Sequence, residues 1–73
     1  MKHQNRHTAR LFRATREQLG ISLRAMARQL KIPNSTVSRI ECGLLTPKLA
    51  VVNRLVAISP ANNLEELFVM AYR

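Results

Sequence analysis

Residues 21–43, ISLRAMARQLKIPNSTVSRIECG, read as two short helices joined by one tight turn, and that reading decides the fold. Leu23, Met26, Ala27 and Leu30 recur at the i, i+3, i+4, i+7 spacing of one helical face. Ser22 stands just ahead, where its hydroxyl can accept from a first-turn N–H, and Ile21 and Met26 occupy the two positions of a hydrophobic staple. Position 25 is Ala, so no capping box forms. Lys31-Ile32-Pro33 is expected to stop the first helix, since Pro33 disfavours the α region at Ile32 and turns the chain. Val37 and Ile40 give the second helix its inward face, and Gly43 follows as a left-handed stop.

One face of the second helix stays free. Asn34, Ser35, Ser38 and Arg39 lie on it, all with donors or acceptors able to reach outward. These are base-reading chemistries: Arg presents a two-donor fork to the O6/N7 edge of guanine, Asn pairs with adenine N6/N7, and Ser donates or accepts.

The run Ser35-Thr36-Val37-Ser38-Arg39-Ile40-Glu41, then Gly43 after one residue, closely resembles the Cro and phage-repressor type helix-turn-helix family, the xenobiotic response element family of bacterial regulators. The resemblance spans about residues 11–68. It implies an all-α, compact five-helix DNA-binding domain with a helix-turn-helix over residues 22–42, whose second helix lies in the major groove. It places base contacts on Asn34, Ser35, Ser38 and Arg39, and phosphate contacts on Arg16, Ser22, Arg24, Thr36 and Lys48. It also implies a structural salt bridge between Arg16 and Glu41. The loop Ser59-Pro60-Ala61-Asn62 departs from the family, which usually has a Leu-Gly turn about one residue shorter, and so do two positions of the helix pair. Pro33 replaces the usual Ser or Thr cap, which makes Asn34 an alternative cap, and Leu23 stands where several phage repressors carry a phosphate-contacting glutamine.

Seventy-three residues make one domain near the lower limit for a self-sufficient core, since a domain this small buries only ~60% of its unfolded surface. A hydrophobic content of 47% excludes disorder over most of the length. No apolar run approaches the ~20 residues of a membrane span, and no apolar core follows the basic start, so no signal peptide is read and a cytoplasmic address is expected. Cys42 is the only cysteine, and His3 and His7 have no third ligand nearby, so neither disulfide, metal nor other cofactor is expected.

Charge is uneven. Residues 1–59 hold eleven Lys and Arg against Glu17 and Glu41, while residues 60–73 hold Arg73 against Glu65 and Glu66. A polyanion partner, double-stranded DNA, is favoured, because each neutralised phosphate releases condensed counterions. The chain has no Asp, and no Ser/His or Cys/His pair has an orienting third group, so an enzyme is not expected. The rival reading is an interaction module that docks an acidic protein on its basic helices. No inducer pocket is visible in a sequence this short.

Working outward, residues 1–7 are polar and basic, a flexible arm ahead of a single domain over residues 8–73. A helix from Thr8 to Leu19 puts Leu11, Phe12, Thr15 and Leu19 on one face, pairs Arg13 with Glu17 at i, i+4, and ends at Gly20. Arg24 is the best phosphate candidate, because it lies in the first turn where the exposed N–H groups favour an anion. Thr46-Pro47 predicts a helix with Thr46 as cap and Pro47 at the first position, with Leu49, Val52, Leu55 and Val56 inward. Asn63 and Glu66 form a capping box for the last helix. Leu64, Leu67, Phe68 and Ala71 give its inward stripe, but Val69, Met70 and Tyr72 make it apolar on more than one face. The excess apolar surface suggests a partner, and because the last helix often builds a symmetric dimer in the family that the chain resembles, the resemblance implies a homodimer interface of Leu64, Phe68, Met70 and Tyr72. A repressor on an inverted-repeat operator follows from the resemblance. The setting is a prophage repressor, a restriction–modification controller, or an antitoxin with a protein partner.

Overall fold

Five helices run along the chain in the computed structural model, which describes residues 6–73: α1 (Arg6–Leu19), α2 (Leu23–Leu30), α3 (Asn34–Glu41), α4 (Leu49–Ile58) and α5 (Leu64–Ala71). No strand occurs among the described residues. Residues 1–5 of the expected arm lie outside them, and Arg6 and His7 belong to α1, which thus begins two residues before Thr8.

The core forms where three helices bring their apolar stripes together. Leu11 and Phe12 of α1, Met26 and Leu30 of α2, and Val37 and Ile40 of α3 are all essentially inaccessible. Leu55 of α4 and Leu67 of α5 close the other side. Each such side chain contributes roughly 1.5–3 kcal/mol on leaving water. Thr15 is buried among them, its hydroxyl donating to the Leu11 carbonyl at 2.8 Å. α3 packs on both α1 and α2, so its inner face is fixed by two neighbours.

The first three helices end in one way. Ile21 N–H donates to Arg16 O, Ile32 N–H to Ala27 O, and Leu44 N–H to Arg39 O, each reaching back five residues across a left-handed residue. Gly20 and Gly43 supply that conformation at φ 66° and 79°. Lys31 supplies it between α2 and α3, at φ 61°. α2 thus ends at the expected Lys31-Ile32-Pro33 segment, with Lys31 as its left-handed cap and Pro33 in extended backbone as the residue before α3.

Five further expectations are corrected. α4 starts at Leu49 with Lys48 in the cap position, two residues later than the Thr46 cap predicted. Its buried residues are Val51 and Leu55, while Leu49 is 73% exposed. The helix is apolar everywhere except Asn53 and Arg54, so periodicity alone did not choose its inner face. In α5 the Asn63 side chain accepts from Glu66 N–H at 2.8 Å, but Glu66 reaches back to the N–H of Asn62, one residue beyond the expected one. The inward stripe of α5 reduces to Leu67 and Ala71, leaving Leu64 and Phe68 about 40% exposed. Arg13 does not pair with Glu17; its guanidinium turns instead to Glu41.

Candidate nucleic-acid interface

Pro33 holds extended backbone, and its carbonyl accepts from Thr36 and Val37 N–H to open α3. No side chain caps this end. Asn34 therefore occupies the first helical position and is not the cap that the departure at Pro33 suggested. First-turn N–H groups without an intrahelical partner remain there, with the positive end of the helix dipole behind them. Asn34 and Ser35 are exposed, Thr36 and Ser38 half-buried, and Arg39 exposed one turn further on. Val37 and Ile40 point the opposite way, into the core, so burial of one face fixes which residues look outward.

The far end of α3 is held from beneath. Arg16 Nε donates to Glu41 Oε2 at 2.8 Å and Nη2 to Oε1 at 3.1 Å, a two-point clamp, while Nη1 reaches the Ile21 carbonyl at 3.5 Å. The Glu41 side chain is 4% exposed and that of Arg16 24%. Hydrogen bonding to Glu41 raises the Arg16 guanidinium above its ordinary value, against the lowering effect of burial. A folded-state value raised in this way adds stability that is complete below the arginine range and is lost only as pH climbs through it, so the contribution is flat across neutral pH. Arg13 adds a bond from Nη2 to the Glu41 carbonyl at 3.3 Å. The forked donor of Arg16, expected at a phosphate, is thus committed within the domain.

The other phosphate candidates sit on neighbouring elements. Ser22 caps α2, its Oγ accepting from Ala25 N–H at 3.1 Å, which leaves the hydroxyl proton free to donate. Arg24 is exposed in the first turn of α2, and Lys48 is exposed at the cap position of α4.

Sequence reasoning missed how many arginines serve the fold. Arg54 donates to the Leu30 carbonyl at the end of α2, at 3.1 Å. Arg10 donates to the Ala71 carbonyl at the end of α5, at 2.8 Å, and stacks 4.3 Å from the Tyr72 ring centroid. With Arg13 on α3, three helix ends receive a cation where their carbonyls lack partners. No local signal announces this, because the Arg10 and Arg54 contacts span 61 and 24 residues.

On α5, Leu64, Phe68 and Tyr72 make an exposed stripe at i, i+4, i+8, with the Phe68 and Tyr72 rings stacked at 6.3 Å between centroids. The Tyr72 hydroxyl is also hydrogen-bonded to His7 Nδ1 of α1. Met70 lies on the opposite flank, half-buried against the core, because two residues carry the helix ~200° round from Phe68. It is not part of the stripe it was expected to join.

Among the described residues no helix is long and apolar enough to cross a membrane, and no group of three His, Cys or acidic side chains is arranged to hold a metal. A family model described as helix-turn-helix domain matches residues 8–62. No curated protein and no solved structure matches the chain.

Proposed function

The chain belongs to the helix-turn-helix domain family and is a DNA-binding protein; from that premise we propose that it is a sequence-specific repressor acting as a dimer on an inverted-repeat operator. The observation that carries the proposal is the start of α3, where polar side chains and an uncapped helix end face outward on an element anchored by its buried face and far end. In this reading Asn34, Ser35, Ser38 and Arg39 read base edges in the major groove. Ser22, Arg24, Thr36 and Lys48 hold phosphates and set the register. Arg16 acts through Glu41, keeping α3 at a fixed angle, and its charge adds to the local field.

The dimer uses the Leu64, Phe68 and Tyr72 stripe, an apolar surface that a second copy would remove from water. Two copies related by a two-fold axis put their recognition helices about one DNA turn, ~34 Å, apart. Bound beside a promoter, such a dimer excludes polymerase.

Selection of bound duplexes from a random pool at ~150 mM salt tests the whole proposal, because the nonspecific phosphate contribution is already weakened there. The expected outcome is a palindromic motif with half-sites one turn apart. A single asymmetric half-site would remove the dimer, and no enrichment at all would remove sequence-specific reading.

A further inference from the structure

The outer face of α1 is a second basic surface, distinct from the start of α3. Arg6, Arg10 and Arg13 follow one another along it with Ala9 and Ala14 between, and the turn Cys42-Gly43-Leu44 after α3 rises alongside. Together they enclose an open groove of about 840 Å³. Arg6 to Glu17 spans eleven helical steps, ~16 Å at 1.5 Å each. That is the length of about five residues of extended chain at ~3.3 Å each.

The lining specifies an occupant. Arg6 is exposed, and Arg10, bonded through Nε to the Ala71 carbonyl and stacked on the Tyr72 ring, keeps its terminal N–H groups for a carboxylate; of the two acids in the lining, Glu41 is neutralised by Arg16 and Glu17 stands exposed at the far end. Ala9 and Ala14 leave room over the middle of the groove for a large apolar side chain, and Leu44, 71% exposed, stands beside it as a contact. The elongated shape suits a stretch of polypeptide better than a compact metabolite. On charge complementarity and shape, we propose that this groove docks an acidic segment of a partner protein, about five residues long, with one leucine or phenylalanine as its central anchor.

The wall of the groove continues the recognition helix, since Glu41, Cys42 and Leu44 all line it. Cys42 is exposed and is the chain's only thiol, which makes it a reporter of occupancy. The proposal does not depend on which DNA sequence the chain reads.

The test uses a fluorescein-labelled Glu-Glu-Leu-Glu-Glu peptide and the intact chain at ~150 mM salt, where diffuse attraction is screened beyond ~8 Å. Saturable anisotropy is expected, with Arg6→Glu and Leu44→Ser each weakening it at least ~5-fold. Arg28→Glu, the same charge change on an exposed residue of α2, is expected to change it less than ~2-fold. Saturating peptide should slow alkylation of Cys42 by iodoacetamide. All three altered residues are exposed, so the variants keep their fold. The proposal is overturned by the absence of saturable binding, by Arg28→Glu weakening binding as much as Arg6→Glu, or by unchanged Cys42 alkylation. Displacement of the peptide by duplex DNA that itself shields Cys42 also overturns it, since the groove would then be phosphate surface.

Discussion

The starts of α3 and α5 solve the same problem in opposite ways. α5 is closed by its own chain: Asn63 accepts from Glu66 N–H, Glu66 accepts from Asn62 N–H, and two acidic residues face the positive end of the dipole. α3 has Pro33 at the corresponding place, no side-chain cap and no acidic residue in its first turn. A helix with an open start loses about 1 kcal/mol against a capped one. α3 recovers its definition elsewhere, from Val37 and Ile40 in the core and from the Arg16–Glu41 clamp at its far end. One end of α5 is built for stability, and the matching end of α3 is left with unmet donors facing outward.

The comparison breaks most visibly at the clamp. Arg16→Met keeps the length of the side chain and removes its charge, leaving the Glu41 carboxylate 4% exposed with only Arg13 at 3.9 Å. A buried charge stripped of its partner costs about 3 kcal/mol or more. For a domain whose whole stability is on the order of 5 kcal/mol, the urea midpoint should fall by more than half. A midpoint moved by less than about a fifth would mean that α3 is not held from its far end.

Next in size are the outward residues of α3. Arg39→Ala should reduce discrimination between operator and scrambled DNA by ~1–3 kcal/mol and relax preference at one base pair. Its stability should stay within ~0.5 kcal/mol of the parent, because Arg39 is exposed and its backbone bonds are kept. An unchanged specificity ratio would remove Arg39 from the base-reading set. Lys48→Ala, by contrast, should weaken all sequences alike and lower the salt slope by ~1.

How far these features could be read from the sequence differs by region. The α2–α3 pair was legible because its stripes are narrow: Met26, Ala27, Leu30, Val37 and Ile40 leave little choice of inner face, and all five are buried. The clamp residues were reachable only through the family resemblance, since nothing in spacing links Arg16 to Glu41 25 residues away. α4 and α5 were read with the right type and only part of the right face: Leu55, Leu67 and Ala71 are buried as expected, while Leu49, Leu64 and Phe68 are exposed, because helices apolar nearly all round do not declare which side the tertiary packing will bury. The corner at Lys31 was hidden for a different reason: it closes the same pair of backbone bonds as Gly20 and Gly43, in a left-handed conformation for which local propensity would have asked for glycine. The arginines at helix ends were invisible because their partners are backbone atoms far away in sequence.

Asn63→Ala should lower stability by ~1 kcal/mol, the usual contribution of a cap, while leaving DNA affinity unchanged. Asn34→Ala should do the reverse, holding stability within ~0.5 kcal/mol and weakening operator binding, since its side chain caps nothing. If Asn34→Ala destabilised the domain as much as Asn63→Ala, the two helix starts would not differ in kind.

The smallest effect sharpens the comparison at the corner that leads into α3. Lys31 holds φ 61°, where an L side chain costs ~1 kcal/mol or more because its Cβ crowds the following carbonyl oxygen. Gly20 and Gly43 make the same turn with the same pair of backbone bonds and no such strain. Lys31→Gly removes the strain but widens the unfolded ensemble, which returns roughly half the gain. The net expectation is ~0.5 kcal/mol of added stability, a rise of ~2–4 °C in Tm for a domain of this size. Lys31 is exposed, so no packing is lost with it. A fall in Tm would mean that the lysine charge at the negative end of α2 outweighs the backbone strain, and α3 would then owe its position to electrostatics at both of its flanking corners.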